Sequence, residues 1–234
     1  MLARKFSTRG SRGGLIATAA AVVCIVGGVG LIGVSIASQR RAPGAVEASE
    51  SWVRPTIPAT RPSENASRNV TGPILPRSKP VALDIPSIGV HSVVQYLGQT
   101  ADGALEVPAP GPHYNEAAWY RYSPTPGSLG PAILLGHVDS AADGPSVFFR
   151  LGELRSGDRV SIIRADDSVA VFIVDRVRRY AKDNFPTKLV YGDINHAGLR
   201  ILTCGGAFDD STGRYLDNIV VFASLVDRDG VGRF

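Results

Sequence analysis

Beyond Pro80 the chain breaks into short apolar runs set off by Gly, Pro and Asp: VALDI, VHSVVQYL, AILLGHV, RVSIIRA, VAVFIVDRVRRY, LRILTC and NIVVFASLV. Runs this short, rich in Val and Ile and partly alternating, predict strands and not helices. Ser156-Gly157-Asp158 before RVSII and Ala165-Asp166-Asp167-Ser168 after it read as hairpin turns. Only the windows 147–154 and 183–191 leave room for short helices. Seven or eight strands in about 150 residues predict a mainly β domain with a real core, a sandwich or, preferably, a closed barrel.

Upstream the pattern is different. Residues 15–37, LIATAAAVVCIVGGVGLIGVSIA, hold no charged side chain, and as a helix they are long enough to cross roughly 30 Å of hydrocarbon. Arg4, Lys5, Arg9 and Arg12 precede this run with no acid among them, so the positive-inside bias puts the N-terminus in the cytoplasm and the rest outside. A cleavable signal peptide is the rival, since Ser35 and Ala37 form a small-x-small site, but its apolar region is usually only about 7–15 residues. From 38 to 80 the chain holds seven of its sixteen prolines and no sustained apolar period, the composition of an extended linker. The expected organisation is a cytoplasmic basic tail (1–14), a single-pass membrane anchor in contact with lipid (15–37), an extracytoplasmic linker (38–80) and an outer domain (81–234).

Charge sharpens this picture. The formal net charge is +4, yet residues 1–14 contribute four bases and no acid, and residues 38–80 seven bases against three acids. The 14 bases and 18 acids that remain lie beyond residue 80. The outer domain is therefore acidic on balance, and the basic excess in tail and linker gives no reason to expect a nucleic-acid partner. With two cysteines in all, Cys24 and Cys204, neither a disulfide scaffold nor a zinc site of paired thiolates is expected. The adjacent acids Asp166 and Asp167, or Asp209 and Asp210, lack the ligand count of a calcium site. No metal and no cofactor is expected.

Cys24 lies inside the apolar run and cannot reach Cys204, so Cys204 is an orphan thiol on the exported side, where free thiols oxidise and mispair. It is either a buried small hydrophobe or a nucleophile. A nucleophile needs a partner for its thiolate and for the proton that goes to the leaving group, and histidine is the usual one. Of four histidines, His137 closes the strong run AILLGHV beside a turn-rich loop, where sites are commonly built. His91, His113 and His196 suit surface roles. A Gly-rich connection, GGAFDDSTGR, folds the last strand back on the cysteine strand. Centred near Asp209, that hairpin would set Arg214 opposite Cys204, where a guanidinium could stabilise a thiolate, a peptide carbonyl or an oxyanion. A surface arginine paired with a nearby Asp is the alternative.

Taken together, LLGHVDS with His137, the stretch GPSVFFRLGEL, LRILTCGG with Cys204 and GRYLDNIVVFA with Arg214 resemble the sortase family of cysteine transpeptidases over most of residues 80–226. VFFRLGELRSGDRV and NIVVFA look most like the class F sortases of actinobacteria, and 21 arginines against four lysines would suit a GC-rich genome. Ile201 or Leu202 stands where the cysteine motif has its first Thr, while Thr203 and Cys204 match it.

The resemblance implies a closed barrel of about eight strands with short helices, making 81–234 a sortase catalytic domain. It implies Cys204 as nucleophile, His137 as general acid and then base, and Arg214 as the group that positions substrate and stabilises the oxyanion. Thr203 either contacts substrate, supports the oxyanion or is a plain strand residue. The implied partners are LPxTG-type sorting-signal peptides cleaved between Thr and Gly, and an amine acceptor such as a cell-wall precursor on a Gram-positive surface. Another exported cysteine peptidase, or a membrane-tethered, non-catalytic β module that binds wall polymer or a partner protein, are the alternatives.

Overall fold

The computed structural model describes residues 69–226; the basic tail, the run 15–37 and most of the linker lie outside the described residues. Among the described residues no helix is long and apolar enough to cross a membrane. The strands are β1 (Pro80–Ile85), β2 (Val90–Leu97), β3 (Ala117–Tyr120), β4 (Gly130–Leu135), β5 (Asp139–Ser140), β6 (Gly144–Pro145), β7 (Arg159–Arg164), β8 (Val169–Ala181), β9 (Ala197–Asp209) and β10 (Arg214–Leu225). Eight of them close into a barrel in the order β1-β2-β3-β4-β9-β10-β8-β7, and β5 and β6 form a separate two-stranded ribbon. The mainly β, closed-barrel expectation is borne out. Closure leaves the barrel without an unpaired sheet edge.

Of the two hairpin turns read from sequence, the one at 165–168 joins β7 to β8, whereas the one at 156–158 is a turn that leads from a 3-10 segment into β7. Asp158 accepts the amide of Arg155 and Gly157 takes φ +96°. Between β7 and β8, Asp166 accepts both the amide and the hydroxyl of Ser168 while Asp167 turns the chain at φ +60°. Of the helical windows, 147–154 yields one 3-10 turn (Leu151–Glu153), and 183–191 yields the short helix Thr187–Tyr191. Strand β3 was not among the predicted runs. All four of its residues are buried, the odd ones in the barrel interior and the even ones under the helix, so no polar alternation marks it.

The apolar residues divide between two layers. The barrel interior holds Leu83, Trp119, Leu134, Phe148, Leu199, Ile201, Val221 and their neighbours. Outside the sheet, Ile133, Leu135, Tyr180, Leu202, Val220 and Phe222 are covered by Phe185, Val190 and Tyr191. Period-two alternation sorts β9 between them, with Leu199 and Ile201 inward and Leu202 outward.

Strand directions define two rims. β4 runs parallel to β9, and β10 is antiparallel to both β8 and β9, so β4, β8 and β9 begin at one rim and end at the other. Residues 69–79 lie along the rim where they begin. The amide of Thr71 donates to the carbonyl of Asn195 and that of Leu75 to Gly127. The Ser78 amide reaches Thr125 Oγ1, and the buried Arg164 donates to the Pro76 carbonyl and to Asp166. Thus the last residues of the Pro-rich stretch form a strap docked on the barrel. Cys204 stands seven residues along β9 from this rim, roughly 23 Å at the usual rise.

Candidate active site

The parallel ladder of β4 and β9 brings Cys204 and His137 together. Leu135 is level with Leu202, and the Gly136 amide extends the ladder to the Leu202 carbonyl. One step further along each strand sets His137 level with Cys204, on the outward face they share with Leu135 and Leu202. Gly136 is required by close packing: a Cβ there would meet Phe148 and Val147 at 2.7 Å. The Phe148 amide in turn holds the His137 carbonyl.

Thr203 points the other way. It is 4% exposed, and its hydroxyl donates to the Gly136 carbonyl at 2.8 Å. It therefore ties β9 to the backbone that carries His137, and its side chain is not on the face that carries Cys204 and His137.

The loop between β2 and β3 clamps the imidazole. His137 Nε2 lies 2.8 Å from the Pro108 carbonyl, and since a carbonyl only accepts, that nitrogen carries a proton and Nδ1 is left to exchange one. The Tyr114 ring stacks on the imidazole at 4.0 Å between centroids and 5° between planes, which fixes the plane of the ring. Its hydroxyl donates to the Asp139 carbonyl. Burial first, then the charges of Asp139, Cys204 and Asp143, push the Tyr114 hydroxyl above its usual range, so it stays protonated and keeps donating. Tyr215 reaches the Asp139 carboxylate from β10.

The hairpin register differs from the expectation. Cys204 faces Asn218, and Arg214 faces Asp209. The turn centres beyond Asp209 because Asp209 itself closes it: its carboxylate accepts from Ser211 and Thr212, its carbonyl accepts the Gly213 amide, and Gly213 takes φ +65°. These bonds also hold the Asp209 carboxyl below its usual range. Arg214 is exposed at the tip, five positions along β9 from the thiol, roughly 17 Å at strand rise.

The cation found at the sulfur is Lys182, whose Nζ lies 3.4 Å from Cys204 Sγ. It opens the 3-10 turn Lys182–Asn184 directly after β8. Sequence reasoning missed both Lys182 and Tyr114. Lys182 falls between the run that ends at Tyr180 and the helical window that begins at 183, and Tyr114 is one aromatic in a Pro-rich loop. The other histidines stand apart: His91 meets Asp84, His113 bonds Glu116 and His196 bonds Asn195. A separate depression lined by His91, Asn115, Ser146 and Arg150 includes neither Cys204 nor His137.

Cys204 is half-buried and unpaired, with an imidazole on one flank and an ammonium on the other. Such a site can hold a thiolate, attack a carbonyl carbon and return a proton to a leaving group. Among the described residues no cluster of His, Cys, Asp and Glu is fit to hold a metal.

Among solved structures the chain is similar to a sortase D5 transpeptidase from Clostridium perfringens, at 21% identity over 64% of this chain and 79% of that one, TM-score 0.47. It is also similar to a lid mutant of sortase A from Corynebacterium diphtheriae, at 18% identity over 65% and 73%, TM-score 0.48. A third is sortase C1 of Streptococcus agalactiae, at 16% identity over 65% and 69%, TM-score 0.49. No curated protein matches the chain by sequence. The sortase domain family model matches residues 83–226, well over half of the chain, and on that match this protein belongs to the sortase family.

Proposed function

We propose that this protein is a membrane-anchored transpeptidase of class F type that cleaves an LPxTG-type sorting signal between Thr and Gly and passes the acyl group to an amine on the cell wall. The observation that carries this reading is that His137 and Cys204, both half-exposed, each follow by two residues the last pair of the parallel β4–β9 ladder, Leu135 and Leu202. The run 15–37 supports the anchoring, and its positive flank supports an outward-facing domain.

In the reaction the Cys204 sulfur, as thiolate, forms a bond to the Thr carbonyl carbon, and the carbonyl electrons move to oxygen. When the tetrahedral adduct collapses, the C–N bond breaks and the imidazolium of His137 gives its proton to the departing glycine amine. The thioester that remains is attacked by a second amine, whose proton goes to His137 as the C–S bond breaks and the thiolate is restored. The Pro108 contact fixes the ring throughout, so one nitrogen does all the exchanging. Arg214, at the hairpin tip, is assigned to hold the bound peptide away from the scissile bond. Thr203 is assigned a positioning role through Gly136.

The test incubates the full-length protein with a quenched fluorescent Leu-Pro-x-Thr-Gly peptide and an amine acceptor, beside Cys204→Ala, with mass spectrometry of the products. Cleavage between Thr and Gly with transfer to the amine, absent in the variant, is the expected result. No turnover by reduced protein across several motif variants would overturn the reading in favour of a tethered binding module.

A further inference from the structure

The reacting sulfur touches a group to which neither the sequence motifs nor the family resemblance assigns a role. We infer that Lys182 is a catalytic residue of this site, the cation that holds the Cys204 thiolate and then faces the charge that develops on the substrate carbonyl oxygen. The inference rests on the transpeptidase reading for its second half and on geometry alone for its first.

Lys182 Nζ lies 3.4 Å from Cys204 Sγ. An ammonium has three donors and no acceptor, so it donates to the sulfur. A thiol accepts such a bond weakly and a thiolate strongly, so the contact is worth most in the form that attacks. Among the described residues Lys182 forms no ion pair, and the sulfur is the acceptor of its one hydrogen bond.

Topology accounts for the meeting. Tyr180 and Cys204 are both partners of Asn218 across β10, and β8 and β9 run the same way. The chain leaves β8 at the rim where the thiol sits, and a four-carbon stem can cross the width of β10. Of the other charged or titratable groups on that side, Asp183 next to Lys182 is exposed to solvent, and the following ones have partners of their own. His137 bonds Pro108, and Tyr114 donates to the Asp139 backbone. The Asp139 carboxylate accepts from Tyr215, Asp143 contacts Ser140, and Asp217 is 3.4 Å from Arg179.

A flexible point charge also suits the second half of the role. As the sulfur becomes a neutral thioether in the adduct, negative charge moves to the carbonyl oxygen bonded to the same carbon, and an ammonium on a mobile stem can follow it. No proton leaves Lys182 at any step. Arg214 does not supply this cation in the described arrangement, since its strand partner is Asp209.

The test measures iodoacetamide alkylation of Cys204 in the full-length protein across pH, by mass spectrometry of the peptide that holds Cys204, for wild type, Lys182→Met and Lys182→Arg. The expected result is an alkylation profile moved to higher pH in Lys182→Met, about tenfold slower near pH 7, with unchanged thermal melting and most of the rate restored in Lys182→Arg. Superimposable profiles for wild type and Lys182→Met would overturn the inference. A Lys182-dependent profile without peptide transfer in wild type would sink the transpeptidase reading and leave the thiolate-holding half standing. Normal transfer with an unmoved profile would do the reverse.

Discussion

The two rims of this barrel are built from opposite materials. At the rim where β4, β8 and β9 begin, the strap 69–79 is held by backbone amides and carbonyls, with the buried guanidinium of Arg164 beneath it. Toward the other rim stand half-exposed side chains, Cys204 within β9 and His137 and Lys182 just beyond β4 and β8, whose partners are a sulfur, one loop carbonyl and a stacked ring. One rim uses polar groups to close the fold. The other leaves them available, held in place from outside by Tyr114 and from inside by Thr203. The difference teaches that the sheet separates stability from chemistry along its length, about 23 Å of strand lying between the two.

Substitutions can break that division or sharpen it. His137→Gln at the reactive rim should lower kcat/KM for peptide transfer by about 10²–10⁴-fold while thermal melting barely moves; equal losses of both would mean that the rim is structural. Thr203→Val removes a buried hydroxyl and leaves the Gly136 carbonyl unpaired, at about 1–3 kcal/mol. Because that bond joins the two rim strands, it should lower both melting temperature and kcat, with KM little changed. Leu75→Ala, in the strap, should reduce stability by about 1–2 kcal/mol, a few degrees of melting temperature, with kcat/KM of the folded enzyme untouched. A loss of activity larger than the loss of folded protein would tie the strap to the site. Arg214→Ala should have the smallest effect, a rise in KM of about tenfold or less with kcat nearly constant. Turnover slowed by about a hundredfold or more would instead bring the arginine to the oxyanion and require the hairpin to close on substrate.

How much of this was legible beforehand depends on which contacts are local. The strands and two tight turns are written in runs of Val and Ile and in Ser156-Gly157-Asp158 and Asp166-Asp167, because period and turn chemistry are short-range signals. Cys204 and His137 stand out as reactive types at strand ends, and the motifs around them carry the family. The hairpin between Cys204 and Arg214 was misplaced because Gly205 and Gly206 look as turn-like as Thr212 and Gly213. What decides is the Asp209 side chain, which satisfies the later segment. β3 escaped notice because it is buried on both faces. Lys182 was out of reach for a different reason: 22 residues separate it from Cys204 in the chain, and only the order β9-β10-β8 around the barrel brings the end of β8 level with Cys204.

Gly206 has a consequence for how this enzyme can vary. It follows Cys204 by two residues at φ +78°, and a Cβ there would fall 2.0 Å from the Asp217 carboxylate. The pairing of β9 and β10 slips between Tyr215 and Asp217, just beyond this point. Below the slip, Asn218 and Cys204 are locked by the ladder that runs into the core. Above it, the tip is held by the bonds of Asp209, by the pairing of Tyr215 with Phe208 and by the Tyr215 hydroxyl on Asp139. The bulge thus works as a joint between a fixed part and an exchangeable one. A change of loop length between residues 209 and 214 is therefore expected to leave the Cys204 sulfur in place.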